Sequence, residues 1–212
     1  MHDDRGLRDP TAPAIMSVMR RILLVRHCQS RANAEGRIEG RGDSPLSEEG
    51  LRQAVRVATF VANQTLGQAT LIASSQARAI ATAGAIGEAC GWVASHDHRI
   101  REGDLGWMEE MSYAEVARHM AERQTRELDA DLHGGESLAD VGERVWAALS
   151  EAMASCEGPL VLVSHGYSIQ ALLRRLDPET TLPRFIGNGD VVEIWLRDGA
   201  LAQAPEHYPL KE

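Results

Sequence analysis

The chain has 212 residues, of which 43% are hydrophobic and 25% are charged, a composition typical of one folded domain and not of a disordered protein. Its 31 acidic residues outnumber its 22 basic ones, and the net charge of −9 argues against a broad nucleic-acid-binding surface. No apolar run approaches the about 18 to 20 residues that span a membrane. The three scattered cysteines indicate neither a disulfide framework nor a zinc cluster.

These features lead us to expect a cytoplasmic protein with no membrane or nucleic-acid partner, and with no metal or other cofactor. A homodimer is compatible with the composition. A small phosphorylated substrate is not excluded by the acidity, because it needs only a local cluster of arginines. The polar, proline-containing stretch 1–19 predicts a flexible N-terminal tail, and residues 20–212 are predicted to form a single domain.

Short apolar runs along the chain predict buried strands. The first, Ile22–Val25, is followed by a long loop, 26–46, rich in Gly, Arg, Asn, Asp and Ser. The later runs have the same continuous apolar character, which indicates strands covered on both faces. They are found at 70–73, around 92–100, at 159–163 and at 191–196.

Helical patterns occupy the segments between these strands. Ser47 is predicted to cap a helix that has two glutamates in its first turn, and Ser74 or Ser75 is predicted to cap an alanine-rich helix running from Gln76 to about Ala89. The two remaining helices are a polar one at 113–128, ended by two glycines, and one that starts at a capping-box-like pair of Ser137 and Asp140.

Strands that alternate with helices indicate an α/β fold with three layers, α/β/α, around a mostly parallel, doubly wound sheet. In such a sheet, ligands bind outside the carboxyl ends of the strands. Residues that directly follow the predicted strands are therefore the first candidates for a functional site.

Two histidines occupy such positions. His27 follows the first strand and is preceded by Arg26, while His165 follows the strand at 159–163. A single histidine at the end of a strand is most simply a hydrogen-bonded structural residue. Two histidines at equivalent places, one beside an arginine, favour a functional site at the rim of the sheet that the carboxyl ends of the strands form.

Arg78 is predicted to lie near the amino end of the alanine-rich helix, which points at the same rim. Helix amino ends attract anions, and the planar guanidinium fork matches phosphate oxygens. As an ordinary surface residue, an arginine would be slightly unfavourable at this end of a helix. Its position therefore favours binding of an anionic group.

A carboxyl group is also expected near the rim. Glu102 follows the third predicted strand, but Asp104, Glu109 and Glu110 would serve equally well by position alone. Together these residue types suit phosphoryl transfer: an imidazole nitrogen attacks phosphorus, arginines balance the oxygen charge, and a carboxylic acid protonates the leaving oxygen. Neither a DxDxDG loop nor an HExxH motif suggests a metal.

The segment Leu24–Ser30 resembles the Arg-His-Gly signature of the histidine phosphatase superfamily, the phosphoglycerate mutase-like proteins. Similar blocks follow in the family's order over roughly residues 21–196. They are Asn33, Arg37, Gly40 and Asp43; Pro45–Ser47 and Gly50; Ser74–Ala79; Ile100–Glu102 with Leu105 and Gly106; Gly134–Ser137; and Val163–Gly166.

The resemblance implies a phosphoglycerate mutase-like fold and a role for each matching residue. His27 would be the nucleophile that becomes phosphorylated, and Glu102 the proton donor. The phosphoryl group would be held by Arg26, Arg78 and His165, the phosphate pocket lined by Asn33 and the Gly166 backbone, and the substrate entrance flanked by Arg37.

The sequence departs from the family pattern at several positions. Cys28 replaces the usual glycine after the nucleophile, where a side chain either narrows the pocket, alters the turn or is an innocent small residue. Glu39 stands where phosphatase relatives often have glutamine, and Trp107 begins a changed run. These differences leave the phosphoryl-binding residues in place and concern the identity of the substrate.

The short segment 107–133 and the Gly-Gly-Glu-Ser block resemble the phosphatase branch, because mutases carry a longer insert with arginines for a second acidic group. We therefore expect a metal-independent phosphoric monoester hydrolase of the histidine acid phosphatase type, working through a phosphohistidine on a small phosphorylated metabolite. A mutase that uses Arg118, Arg123 or Arg126 and a non-catalytic phospho-ligand-binding relative are the alternatives.

Overall fold

A computed structural model describes residues 18–122, 134–179 and 186–210. The strands are β1 (Arg20–Arg26), β2 (Thr70–Ser74), β3 (Ala94–Asp97), β4 (Leu160–Ser164), β5 (Val191–Arg197), β6 (Ala200–Leu201) and β7 (Glu206–Tyr208). The α-helices are α1 (Arg31–Ala34), α2 (Glu48–Ala62), α3 (Ala77–Cys90), α4 (Tyr113–Glu122), α5 (Leu138–Ser155) and α6 (Gly166–Leu176). Short 3₁₀ turns lie at His98–Ile100 and Gly106–Met108.

The strands form one mixed sheet in the order β3-β2-β4-β1-β5-β6, and β7 also pairs with β5. β3, β2, β4 and β1 are parallel, whereas β5 is antiparallel to β1, and β6 and β7 are antiparallel to β5. The predicted α/β fold is confirmed, with an antiparallel side added to its parallel strands. The crossover that places β4 beside β1 is the feature that builds the site.

Side chains alternate between two apolar cores on opposite faces of the sheet. Ile22 and Leu24 of β1 belong to one core, and Leu23 and Val25 to the other, as the period of two in a strand requires. Helices α5 and α6 supply Val145 and other residues to the first core, while α2 and α3 cover the second. Burial of each such side chain contributes about 1.5–3 kcal/mol to the stability of the fold, so packing on both faces fixes the strands whose ends carry the site.

The helix starts agree only in part with the predictions. Ser47 accepts a hydrogen bond from the Gly50 amide, and Ser137 accepts one from the Asp140 amide, so both predicted caps are confirmed. The predicted serine cap of α3 is wrong: its N-cap residue is Gln76, which makes no side-chain cap bond. The hydroxyl of Ser74 lies instead 2.8 Å from the ring of His165.

Three other predicted segments differ from the structure or fall partly outside it. The third strand is shorter than expected, because Asp97 accepts a hydrogen bond from the Arg99 amide and starts a 3₁₀ turn. The polar helix is described as far as Glu122, and its predicted remainder to residue 128 lies outside the described residues. Residues 1–17 of the predicted tail lie outside them as well. Over 18–122, 134–179 and 186–210, no helix combines the length and the hydrophobicity needed to cross a membrane.

Candidate active site

The carboxyl ends of the neighbouring strands β1 and β4 bring His27 and His165 together. The register pairs Arg26 with Ser164, and the His27 amide donates to the Ser164 carbonyl over 2.9 Å. The two imidazole ring centroids are 5.0 Å apart, and the residues are 2% and 0% exposed. The predicted shared rim therefore exists in the fold, although 138 residues separate the two rings in sequence.

The tautomer of His27 is set by the main chain. Its Nδ1 lies 2.7 Å from the carbonyl oxygen of Cys28. A carbonyl can only accept, so Nδ1 carries the hydrogen and Nε2 keeps a lone pair. Burial, followed by the charges of Arg78 and Arg26, holds the pKa of His27 well below its usual value. The ring is therefore neutral and nucleophilic at Nε2 near neutral pH.

Arg78 lies in the first turn of α3, 1% exposed, with its guanidinium against His27. Its Nε donates to His27 Nε2 over 3.2 Å, while Nη1 and Nη2 donate to the carbonyls of Gly42 and Gly40 over 2.7 and 3.0 Å. Burial lowers the pKa of Arg78, and the charges of Glu39 and Glu102 oppose that shift. The group remains a cation, as guanidinium groups do in proteins.

The second arginine and the second histidine complete the buried cluster. Arg26 is 7% exposed, and its Nη1 donates to the carbonyl of Ile186. A Cβ at Gly166 would lie 3.4 Å from Arg26 Nε, an ordinary van der Waals distance, so this guanidinium lies beside the first residue of α6. His165 Nδ1 is buried with no hydrogen-bond partner among the described residues, and burial, followed by the Arg78 charge, lowers its pKa well below the usual value.

The side chain of Glu102 contacts the amino end of α6, the helix that begins directly after His165. Its Oε1 accepts hydrogen bonds from the amides of Gly103 and Ser168, over 3.0 and 3.1 Å, and Oε2 from the amide of Tyr167 over 3.4 Å. Free amides at a helix amino end favour a negative group there. The carboxyl group therefore lies at the same rim as the two imidazoles.

The carboxylates that position alone left open have other partners. Asp104 pairs with Arg41 over 3.1 Å, and Glu110 pairs with Arg37. Glu109 accepts from the amides of Arg41 and Leu105. The charge of Glu102, one of the four, raises the pKa of Arg78, and among the carboxylates only Glu39 has a larger effect.

Asn33 lies close to the cluster, whereas Arg37 lies outside it. The Oδ1 of Asn33 accepts from Asn188 Nδ2 over 2.9 Å, and the same nitrogen donates to the carbonyl of His27 over 3.3 Å. Arg37 is one-third exposed and pairs with Glu35 and Glu110. Within the described residues no contact joins it to His27, and its place at the substrate entrance stays a prediction.

Several residues of the site were not predicted from the sequence. Gln76, 2% exposed, donates through Nε2 to the carbonyls of Gly40 and Gly42 and accepts the Glu102 amide at Oε1 over 2.8 Å. It therefore joins the glycine loop to the proposed proton donor. A polar side chain between a buried strand and its helix was the available signal. Ser74 and Asn188 were also given no place in the site, and Glu39 was noted only as a departure from the family pattern.

Cys28, which replaces the usual glycine, leaves the space around His27 unchanged. Its side chain is fully buried in the core that faces α2 and α3, and its amide donates to Thr82 Oγ1 over 3.0 Å. Burial raises the pKa of its thiol to about 12, so the thiol is protonated and unreactive. The side chain points into the core and does not narrow the space beside His27.

The cluster suits an anion and not a cation. Two guanidinium groups, Arg26 and Arg78, lie at the neutral imidazoles and would repel a positive ion. Over the three described ranges, no group of three His, Cys, Asp or Glu side chains is arranged to hold a metal. A phosphoryl group, with three negatively polarised oxygens, matches the donors that the cluster presents.

Comparison with known proteins agrees with this geometry. Residues 22–202 match the sequence profile of the histidine phosphatase superfamily, branch 1. The chain belongs to this family. Every member of the cluster, from Arg26 to Asn188, lies inside the stretch matched to the histidine phosphatase superfamily.

Relatives of this member of the superfamily carry two kinds of name. A protein named probable phosphoglycerate mutase GpmB, from Salmonella paratyphi C, is 36% identical over 162 residues, which is 73% of this chain and 74% of that protein. The mycobacterial glucosyl-3-phosphoglycerate phosphatase, solved with VO3, is 31% identical with a TM-score of 0.71, covering 84% of this chain and 97% of that one. Phosphoglycerate mutase from Bacillus anthracis, 22% identical with a TM-score of 0.75 over 88% of this chain and 92% of that one, shows the shared fold.

Proposed function

We propose that the protein is a metal-independent phosphomonoesterase that hydrolyses a small phosphorylated metabolite through a phosphohistidine at His27. The observation that carries the proposal is the neutral imidazole whose unprotonated Nε2 accepts a hydrogen bond from the guanidinium of Arg78 over 3.2 Å. A lone pair beside a fixed cation is what attack on phosphorus requires: the nitrogen forms the bond, and the cation stabilises the oxygens.

In the first step, His27 Nε2 forms a bond to phosphorus while the bond from phosphorus to the ester oxygen breaks. Glu102, in its protonated form, gives its proton to the leaving oxygen. The Nε–H of Arg78, which donates to Nε2 in the free protein, then turns to a phosphoryl oxygen. Arg26 and the unpartnered Nδ1 of His165 are the further groups proposed to bind those oxygens.

In the second step, water attacks phosphorus and the bond from phosphorus to Nε2 breaks. The Glu102 carboxylate accepts the proton of that water, which restores the acid for the next cycle. Inorganic phosphate leaves, and the ring of His27 returns to the tautomer set by the Cys28 carbonyl. No oxidant, reductant or further co-reactant enters this balance.

Hydrolysis is favoured over a mutase reaction by the pairing of two arginines near the rim, Arg37 and Arg41. A mutase needs free cations to grip a second acidic group of its substrate. Arg37 pairs with two carboxylates, and Arg41 lies 3.1 and 3.4 Å from Asp104 and Glu136. Arg118 is exposed on α4, and the two other arginines considered for this role, at 123 and 126, lie outside the described residues.

The name of the GpmB relative, 36% identical, supports phosphoglycerate mutase activity as a second candidate. The two reactions differ in the acceptor of the phosphoryl group, which is water in one and a substrate hydroxyl in the other. Incubation with 3-phosphoglycerate distinguishes them: a mutase forms 2-phosphoglycerate, whereas a phosphatase releases inorganic phosphate. A panel of phosphoglycerates, sugar phosphates and nucleotide-related monoesters would then identify the substrate class.

The test of the proposal is hydrolysis of p-nitrophenyl phosphate by the pure protein in the presence of EDTA. We expect sustained turnover, and acid-labile phosphate on the protein during it. His27→Ala should abolish both, while His119→Ala, which removes a half-exposed histidine on α4, should change neither. Absence of turnover would point to a phospho-ligand-binding protein, and loss of activity with EDTA would contradict metal independence.

A further inference from the structure

Glu39 is a buried carboxylate that the mechanism above does not use. It lies in the loop between α1 and α2 and is 5% exposed. Its Oε1 accepts the amide of Ser44 over 2.5 Å and lies 3.1 Å from Arg78 Nη1, while Oε2 accepts the hydroxyl of Ser30 over 2.7 Å. A buried carboxylate with three donors is an ion-pair partner and not a solvated surface charge.

The contacts of Arg78 divide its guanidinium into two parts. Nη1 is held by Glu39 and the carbonyl of Gly42, and Nη2 donates to the carbonyl of Gly40. The edge formed by Nε and Nη2 faces the other way, with Nε on His27. A guanidinium offers two parallel N–H groups along that edge, the pair that binds two oxygens of one phosphate. Glu39 therefore fixes the end of Arg78 that a phosphoryl group does not use.

Glu39 also changes the charge available to the phosphoryl group. Arg26 and Arg78 supply two positive charges, and the carboxylate of Glu39 is in direct contact with one of them. Both members of this pair are nearly excluded from water, with side chains 1% and 4% exposed, so solvent screens their fields little. Any dianion on Arg78 is therefore repelled by Glu39 at close range.

We propose that Glu39 is a positioning residue with two effects: its ion pair holds Arg78 with the Nε–Nη2 edge toward His27, and its charge limits how tightly phosphate is held. The inference rests on the proposed phosphatase function. A pocket that binds its substrate and its product through the same oxygens releases product faster when a fixed anion opposes them.

The experiment compares wild type with Glu39→Gln, which keeps the shape and loses the charge. Phosphate affinity is measured by calorimetry, and kcat with p-nitrophenyl phosphate. We expect phosphate to bind at least about threefold more tightly, because a fixed anion is removed beside the binding arginine. We expect kcat to fall at least about fivefold, because a neutral hydrogen bond holds Nη1 roughly half as strongly as a charged one.

The matched control is Glu193→Gln. Glu193 is another buried carboxylate, 6% exposed, which pairs with Arg21 over 2.7 Å near the start of β1, whereas His27 follows the other end of that strand. This variant removes the charge of a buried carboxylate from its ion pair with an arginine that is 20% exposed, so it should lose thermal stability and keep both phosphate affinity and kcat. A general effect of removing a buried charge would change both variants alike.

Glu39→Asp provides an independent second variant, since it keeps the charge and shortens the reach. It should lower kcat without tightening phosphate binding. A Glu39→Gln protein that binds phosphate no more tightly than wild type, or that keeps full kcat, overturns the proposal. If wild type shows no turnover at all, the proposed hydrolysis fails, while the calorimetric comparison still tests the charge effect of Glu39.

Discussion

Lowering the pH should destabilise the fold through the two buried histidines. The pKa of His27 and the pKa of His165 both lie well below the usual value, with burial as the largest cause. In the unfolded chain, both rings regain an ordinary pKa of about 6.5. As the pH falls below about 6.5, the unfolded chain binds protons that the folded protein does not bind. The contribution of the two rings to the free energy of unfolding is therefore complete above this pH and is lost below it.

The expected magnitude follows from this difference. Between pH 7.5 and pH 5.5, a histidine that stays neutral when folded costs about 1.4 kcal/mol of stability, and two cost about 2.8 kcal/mol. Both rings are at most 2% exposed, so solvent screening does not reduce the effect. Stability of a domain is typically about 5–15 kcal/mol, so a loss of this size is readily measured.

The assay is urea unfolding of wild type and His165→Asn at both pH values. Other titrating groups contribute to each protein alike, and the difference between the two isolates one ring. The variant should lose about 1.4 kcal/mol less than wild type over this interval. His119→Asn, at a half-exposed position, serves as the control and should match wild type. Equal losses in wild type and His165→Asn would refute the buried, neutral state of that ring.

Four further outcomes are expected. Arg78→Ala should lower kcat/KM for p-nitrophenyl phosphate by about 100-fold or more, and a loss below tenfold would count against its role at the transition state. Glu102→Gln should impair hydrolysis of alkyl phosphates more than of aryl phosphates, because a phenolate needs less protonation to leave; equal losses would contradict it as the acid. A thiol reagent should label the two partly exposed cysteines of the native protein and reach Cys28 only after unfolding, so a third native thiol would refute its burial. In thermal unfolding, Gly50→Ala should cost about 1–3 kcal/mol, because its Cβ would lie 2.0 Å from a main-chain oxygen, whereas Gly84→Ala, with nothing within 4 Å, should stabilise helix α3 by about 0.5–1 kcal/mol; equal effects would contradict this packing.

The parts of this fold that depend on local pattern were predictable. The apolar run of β4 and the serine caps of α2 and α5 are physical requirements of their own segments, and they are readable without the rest of the chain. The meeting of His27 and His165 followed from one further rule, that parallel strands share a carboxyl edge.

The parts that depend on distant partners were not predictable in this way. Strand β5 has the same buried apolar character as β4, so its pattern carries no sign of its antiparallel direction. Glu39 and Asn188 act through the loops that fold over the sheet edge, and the spacing of residues does not determine how those loops lie. Ser74 was assigned to a helix cap because that is the local use of serine, whereas its hydroxyl contacts a ring 91 residues away.

The atom that holds the hydrogen of His27 in place belongs to the peptide group of the next residue. Every amino acid provides that oxygen, so mutation of the neighbouring side chain leaves the lone pair where it is. The side chain at position 28 therefore has only to fit the hydrophobic core, which explains why a cysteine is accommodated there. Substitution of the residue 28 side chain should therefore leave the reactivity of Nε2 unchanged, whereas substitution of the imidazoles, of the arginines around them or of Glu102 should not.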